Sequence, residues 1–233
     1  MDTSTQTIQL RHDKLRSAQQ KAASLFEFIE ERELIRSGVT ESVINREIYD
    51  LAFEKFGIKK YWHKRIVRAG ENTLCPYKEN PPDLLLQGDE IVFLDFGPIF
   101  EDWEADFGRT FVLGNDSQKS KIKTDIETAW ALGKKHFLAQ PNISGAELFG
   151  YMANLAREFG WEYGAEHCGH LIGQFPHEKI QGDEVLNYIH PDNPNDMRLP
   201  DRNNNPRDWI LEVHFVDRIN KIGGFFEQLL TVE

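Results

Sequence analysis

From Lys14 to Arg36, apolar residues (Leu15, Ala18, Ala22, Ala23, Leu25, Phe26, Phe28, Ile29, Leu34) return at three- and four-residue steps among Lys, Gln and Glu, predicting a long amphipathic helix. Ser37-Gly38 ends it. Thr40 is placed to cap a second helix that runs through Val43, Ile44, Ile48, Leu51, Ala52 and Phe56 and stops at Gly57. Short strands are expected around Arg65 to Val67, Ile91 to Leu94 and Phe111 to Leu113. The order then recurs. Lys121 to Ala139 is amphipathic through Ile122, Ile126, Ala129, Trp130, Leu132 and Phe137, Pro141-Asn142 breaks it, and Ser144 caps a helix through Leu148, Met152, Leu155, Ala156 and Phe159 that stops at Gly160. Leu51-Ala52-Phe53-Glu54-Lys55-Phe56-Gly57 is echoed by Leu155-Ala156-Arg157-Glu158-Phe159-Gly160. Two halves that each read helix, breaker, helix, strands predict a duplicated α+β unit with its site between the halves.

Two stretches fall outside this pattern. Residues 1–11 are polar and predict a loose tail ahead of a single domain over residues 12–233. Asn187 to Asp208 holds four prolines and six asparagines, which predicts a long loop that is either a rim of the site or a surface insertion.

Composition narrows the class. A formal net charge of -11 argues against nucleic acid as a partner, because phosphate binding needs clustered Lys and Arg. No apolar run approaches the roughly 20 residues that span a bilayer, and the N-terminus lacks the basic and apolar regions of a signal peptide. A cytoplasmic protein without membrane association is expected. Cys75 and Cys168 are too few for a disulfide framework and lack the paired spacing of a structural zinc site, so both read as ordinary thiols.

The candidate chemistry lies in acids set within apolar strands. Ile91-Val92-Phe93-Leu94 ends on Asp95, and Asp106 follows eleven residues later, before Phe107-Gly108-Arg109-Thr110-Phe111-Val112. Paired as a hairpin, the two runs put both carboxylates on one face, where like charges repel and call for a cation between them. Glu212 and Glu227 each interrupt a later apolar strand, and Glu166-His167-Cys168-Gly169-His170 with Pro176-His177 supplies histidines among glycines. The acidic run Glu101, Asp102, Glu104 reads as a solvated turn able to attract a free amino terminus. His63, His167 and His214 read as structural.

In these residues the chain resembles the pita-bread metallopeptidases, the family of methionine aminopeptidases, Xaa-Pro aminopeptidases, prolidases and creatinase. The resemblance rests on Asp95, Asp106 followed by Arg109-Thr110, Gly169-His170-Leu171-Ile172-Gly173, His177, Glu212 and Glu227, in that order. It implies pseudo-two-fold α/β halves around a central antiparallel sheet. It also implies two divalent transition-metal ions (Mn, Co, Fe or Zn) held by Asp95, Asp106, His170, Glu212 and Glu227. The reaction implied is hydrolysis near a free amino terminus by a metal-bridging hydroxide, with Glu212 passing on the proton and His177 binding substrate or the oxyanion. The substrate implied is a peptide or small amide, and a homodimer is an option for the assembly. The interval from Glu212 to Glu227 favours the Xaa-Pro type, although Glu166 stands where that type carries a histidine. The family's upstream Asn is present as Asn72, but Tyr77 occupies the position of its substrate-binding histidine, which makes Tyr77, or a nearby histidine such as His63, a substrate-facing candidate. A noncatalytic peptide- or partner-binding module and a creatinase-like hydrolase of a small amide are the alternatives.

Overall fold

The computed structural model describes residues 3–177, 179–180 and 184–232. Its helices are α1 (Thr3–Glu31), α2 (Glu41–Phe56), α3 (Ser117–Ala139) and α4 (Gly145–Phe159). Its strands are β1 (Ile66–Ala69), β2 (Ile91–Phe96), β3 (Ile99–Phe100), β4 (Trp103–Glu104), β5 (Phe107–Val112), β6 (Glu162–Tyr163), β7 (Leu171–Ile172), β8 (Asp208–Asp217) and β9 (Ile222–Leu229). The central sheet runs β1-β2-β5-β9-β8-β6 with β7 also on β8, and every pairing in it is antiparallel.

The caps follow the sequence. The Thr40 side chain accepts from the Val43 N–H, and Gly57 closes α2 with φ +67°, a left-handed conformation that a side chain would disfavour. Ser144 and Glu147 form a reciprocal capping box on α4. Asp116 caps α3, whose first residue Ser117 lies four residues ahead of the expected start at Lys121.

Two apolar clusters lie against the sheet. Leu25, Ile29, Ile44 and Ile48 of α1 and α2 pack with Val92, Leu94 and Phe96. Ile122, Ile126, Trp130, Leu148 and Met152 of α3 and α4 pack with Leu211, Val213 and Phe215. Each helical pair thus covers its own part of the sheet, as the repeated pattern predicts.

The N-terminus differs from the expected loose tail: α1 begins at Thr3 and ends at Glu31, well before Arg36. No apolar stripe drives its first turns, and Leu10 is exposed. Instead Arg11 donates to the Asp208 carboxylate and to the Ile172 carbonyl, which ties the helix to β7 and β8. Residues 188–207 contain no helix or strand, as expected, yet the loop is packed. Asn193 is buried with its amide on the Tyr188 carbonyl.

Candidate metal centre

The register of the sheet brings the acids together. Asp95 pairs with Gly108, Gly108 with Glu227, and Glu227 with Glu212, so one row crosses β2, β5, β9 and β8. Directly paired residues of a sheet share a face, so Asp95, Glu227 and Glu212 point the same way. Asp106, two residues before Gly108, joins them by the two-residue period. Glycine is required in this row, since a Cβ at Gly108 would lie 2.5 Å from the Phe225 ring. Arg109 and Thr110 fasten the β5–β9 seam rather than the cluster. Arg109 donates to the Glu227 carbonyl, and the Thr110 hydroxyl donates to the Phe225 carbonyl.

His170 enters from the loop before β7. Gly169 turns the chain there with φ +144°, where a Cβ would meet the Ile210 carbonyl oxygen at 2.0 Å. The His170 Nδ1 donates to the Leu171 carbonyl at 2.7 Å, leaving Nε2 facing Asp106 Oδ2 at 3.0 Å. Glu212 and Glu227 oxygens lie 3.6 Å and 3.8 Å from the same nitrogen. The structure therefore gathers Asp95, Asp106, His170, Glu212 and Glu227 at one point on the sheet.

The electrostatics of this cluster are unbalanced. Burial pushes Asp95 up to about 7 and Glu212 up to about 8, and it lifts Glu227 well above the ordinary carboxylate range. Burial acts on Asp106 in the same direction, but His63 and His170 overcome it and hold that carboxyl low. Burial works against the charged form of His63, yet Asp106 and Asp95 raise it to about 9. Two carboxylate oxygens of this cluster, Asp95 Oδ1 and Glu227 Oε2, are buried without a hydrogen-bond partner among the described residues. Orphaned buried oxygens beside mutually repelling acids are costly for the protein alone and natural with a cation among them. The donor set fits such an ion, and the atoms fall into two groups sharing Asp106: His63 with Asp95, and His170 with Glu227. An imidazole in each group suits a transition metal over Mg or Ca.

His177 lies beside the cluster, its ring centroid 5.9 Å from that of His170. Its Nδ1 is 2.9 Å from Glu104 Oε2, and the Trp62 indole stacks on it at 4.5 Å with a 4° interplanar angle. A carboxylate only accepts, so Nδ1 carries the hydrogen and Nε2 is left for other partners. Tyr77 is 47% exposed, and its hydroxyl accepts from the Lys64 N–H at 3.1 Å. Its ring centroid is 5.8 Å from that of His63. Asn72 bonds the Glu41 carboxylate and serves the fold.

Glu104 is no solvated turn residue: it is fully buried on His177, while Glu101 alone of that run pairs with surface lysines, Lys14 and Lys21. The alternation Glu104-Ala105-Asp106 was a usable signal, since it sends both acids to one side of an extended chain. His63 is no bystander either, with Nε2 3.1 Å from Asp106 Oδ1. His167 also faces the cluster, its Nδ1 3.7 Å from Glu212 Oε1, and burial drops it to about 3. His214 is structural, bonded to the Thr73 carbonyl, and Cys168 is buried packing. Among the described residues no helix is long and apolar enough to cross a membrane.

The sequence model of metallopeptidase family M24 matches residues 13–203. The chain is similar to the Xaa-Pro dipeptidase of Lactobacillus delbrueckii subsp. lactis, with 30% identity over 167 residues covering 71% of this chain and 44% of that protein. Its fold is similar to that of a dipeptidase from Pyrococcus horikoshii OT3, with a TM-score of 0.73 at 23% identity over 93% of this chain and 55% of that one. It is also similar to the fold of methionine aminopeptidase from Rickettsia prowazekii, with a TM-score of 0.70 at 18% identity over 94% and 92% of the two chains. The chain spans under half the length of the curated relatives it matches.

Proposed function

The chain belongs to metallopeptidase family M24, and from that premise we propose that it is a metal-dependent aminopeptidase of the Xaa-Pro type, cleaving a peptide bond near a free amino terminus. Asp95, Asp106, His170, Glu212 and Glu227 hold two divalent transition-metal ions, Mn, Co, Fe or Zn. The observation that carries this reading is the row of buried acids with orphaned oxygens facing His170. When bound, the ions supply Lewis-acid polarisation of the scissile carbonyl and an activated water.

The chain's own residues do the rest. Glu212, buried on β8 within 3.6 Å of His170 Nε2, is placed to take the proton of the attacking water and return it to the leaving amine. His177 turns Nε2 toward the substrate, with its ring plane fixed by Trp62 and its Nδ1 by Glu104. Tyr77 lines the open side, where its exposed ring offers apolar contact to the peptide. The choice of Xaa-Pro bonds draws on the Lactobacillus relative's name and on the Glu212–Glu227 interval.

The test is a panel of Xaa-Pro dipeptides, Xaa-Pro tripeptides and Met- or Ala-terminated peptides, assayed with Mn(II) or Co(II). Xaa-Pro cleavage that disappears on chelation and returns with the ion is expected. His177→Ala should cut turnover by about 10²-fold with metal content intact. A protein that binds its ions and cleaves none of the peptides contradicts the reading. One observation favours a second reading, a creatinase-like hydrolase of a small amide: Tyr77 stands where the family's substrate histidine is expected, with its hydroxyl engaged by Lys64.

A further inference from the structure

His170 and His63 are held in the same way. In each, Nδ1 faces the carbonyl of the following residue, Leu171 at 2.7 Å and Lys64 at 2.8 Å. A carbonyl accepts, so Nδ1 carries the hydrogen in both rings and Nε2 is presented to the acids. This is the usual support of a metal-bound histidine, whose second nitrogen donates to a backbone carbonyl and fixes the tautomer. The two rings also divide Asp106 between them, with Oδ2 3.0 Å from His170 Nε2 and Oδ1 3.1 Å from His63 Nε2.

We propose that His63 is a sixth ligand of the centre, placing one imidazole on each ion, with Asp95, Asp106 and His63 around one and Asp106, His170, Glu212 and Glu227 around the other. The inference rests on the metal-dependent reading above and goes beyond its five ligands.

Three observations support it. The first is spacing: two ligands each about 2.1 Å from one ion lie roughly 3.0 Å apart at a right angle and about 3.4 Å apart at the tetrahedral angle. His63 Nε2 is 3.1 Å from Asp106 Oδ1 and 3.5 Å from Asp95 Oδ1, which matches that range. The second is the orphaned Asp95 Oδ1, which makes no hydrogen bond despite its nearness to the ring. The third is the space the fold reserves. A Cβ on Gly97 would lie 2.2 Å from His63 Cδ2 and 2.4 Å from the Trp62 indole nitrogen. That indole donates to the Ala105 carbonyl beside Asp106, and its ring packs edge-on against both His63 and His170. The His63 side chain is only 9% exposed, so it is poorly placed to meet a substrate directly. The Lys64 N–H bond to Tyr77 fixes the loop that carries it.

The experiment uses the full chain, stripped with chelator and titrated with Co(II) in parallel with His63→Asn. Asparagine keeps an amide able to donate to the Lys64 carbonyl and removes Nε2. Wild type should take up two ions, and His63→Asn should bind one of them about tenfold or more weakly, with an altered visible Co(II) spectrum and unchanged circular dichroism. In wild-type Co(II) protein, proton NMR should give two exchangeable, hyperfine-shifted histidine N–H signals, from His63 and His170. That readout stands even where the variant folds poorly. Two ions with a single such signal, or a folded His63→Asn with wild-type affinities and spectrum, overturns His63 as a ligand and leaves the two-metal reading standing. A wild-type chain that binds no Co(II) removes both.

Discussion

Glu104 gives the sharpest test of how the site works, because it touches none of the acids of the metal cluster. It is fully buried, and Oε2 holds His177 Nδ1 at 2.9 Å while Oε1 has no partner among the described residues. Hydrogen bonds to charged groups contribute about 1.5–3 kcal/mol, roughly twice the neutral kind. Glu104→Gln keeps an oxygen that can accept from Nδ1–H, so the loss is the charged-to-neutral difference, on the order of 1 kcal/mol or about fivefold in kcat. Glu104→Ala removes the acceptor entirely, and about 1.5–3 kcal/mol corresponds to roughly 10- to 150-fold. Metal content, read by elemental analysis beside steady-state kinetics, should match wild type in both variants. Turnover in Glu104→Ala equal to wild type would refute the argument that this carboxylate positions His177. A loss of metal in step with turnover would refute its separation from the ion-binding groups.

Two further predictions follow from burial and backbone geometry. Asp95 and Glu212, raised to about 7 and 8, and His63, raised to about 9, each contribute stability at low pH that is lost as pH rises through those values. Asp106, held low, acts in the opposite sense only under acid conditions. Melting of chelated protein should therefore drop between about pH 4 and 9, and the gain from added Mn(II) should be larger at pH 8 than at pH 6; a gain independent of pH would contradict this. Gly169→Ala, which sets a Cβ against the Ile210 carbonyl at φ +144°, should lower stability by roughly 1–3 kcal/mol in urea unfolding and weaken metal binding through His170.

Much of this was legible in the chain, for identifiable physical reasons. Asp95, Glu212 and Glu227 stand out only as an ordered set, because any one acid in an apolar strand is as readily a strand end or a solvent-facing position. The sheet row adds what spacing cannot: Asp95, Gly108, Glu227 and Glu212 share one register line across four strands. Helix ends were readable from Thr40, Gly57, Ser144 and Gly160 because caps are local chemistry. The contact of His63 with the acids was not, since His63 lies 32 residues before Asp95 among lysines and reaches them through a tertiary contact that Gly97 permits. Glu104 was masked by its neighbours Glu101 and Asp102, which turn the chain with positive φ and leave Glu104 alone pointing inward. The first turns of α1 were missed because a salt link from Arg11 to Asp208, rather than an apolar stripe, holds them.

Two ions are proposed to lie among these carboxylates and histidines. Anomalous diffraction from crystals grown with Mn(II), collected with a metal-free control, tests it most directly. Two peaks are predicted, one between Asp95 and Asp106 on the His63 side and one beside Asp106, His170 and Glu227. No peak at this position, or peaks only at surface acids such as Glu71 and Glu162, would contradict the account.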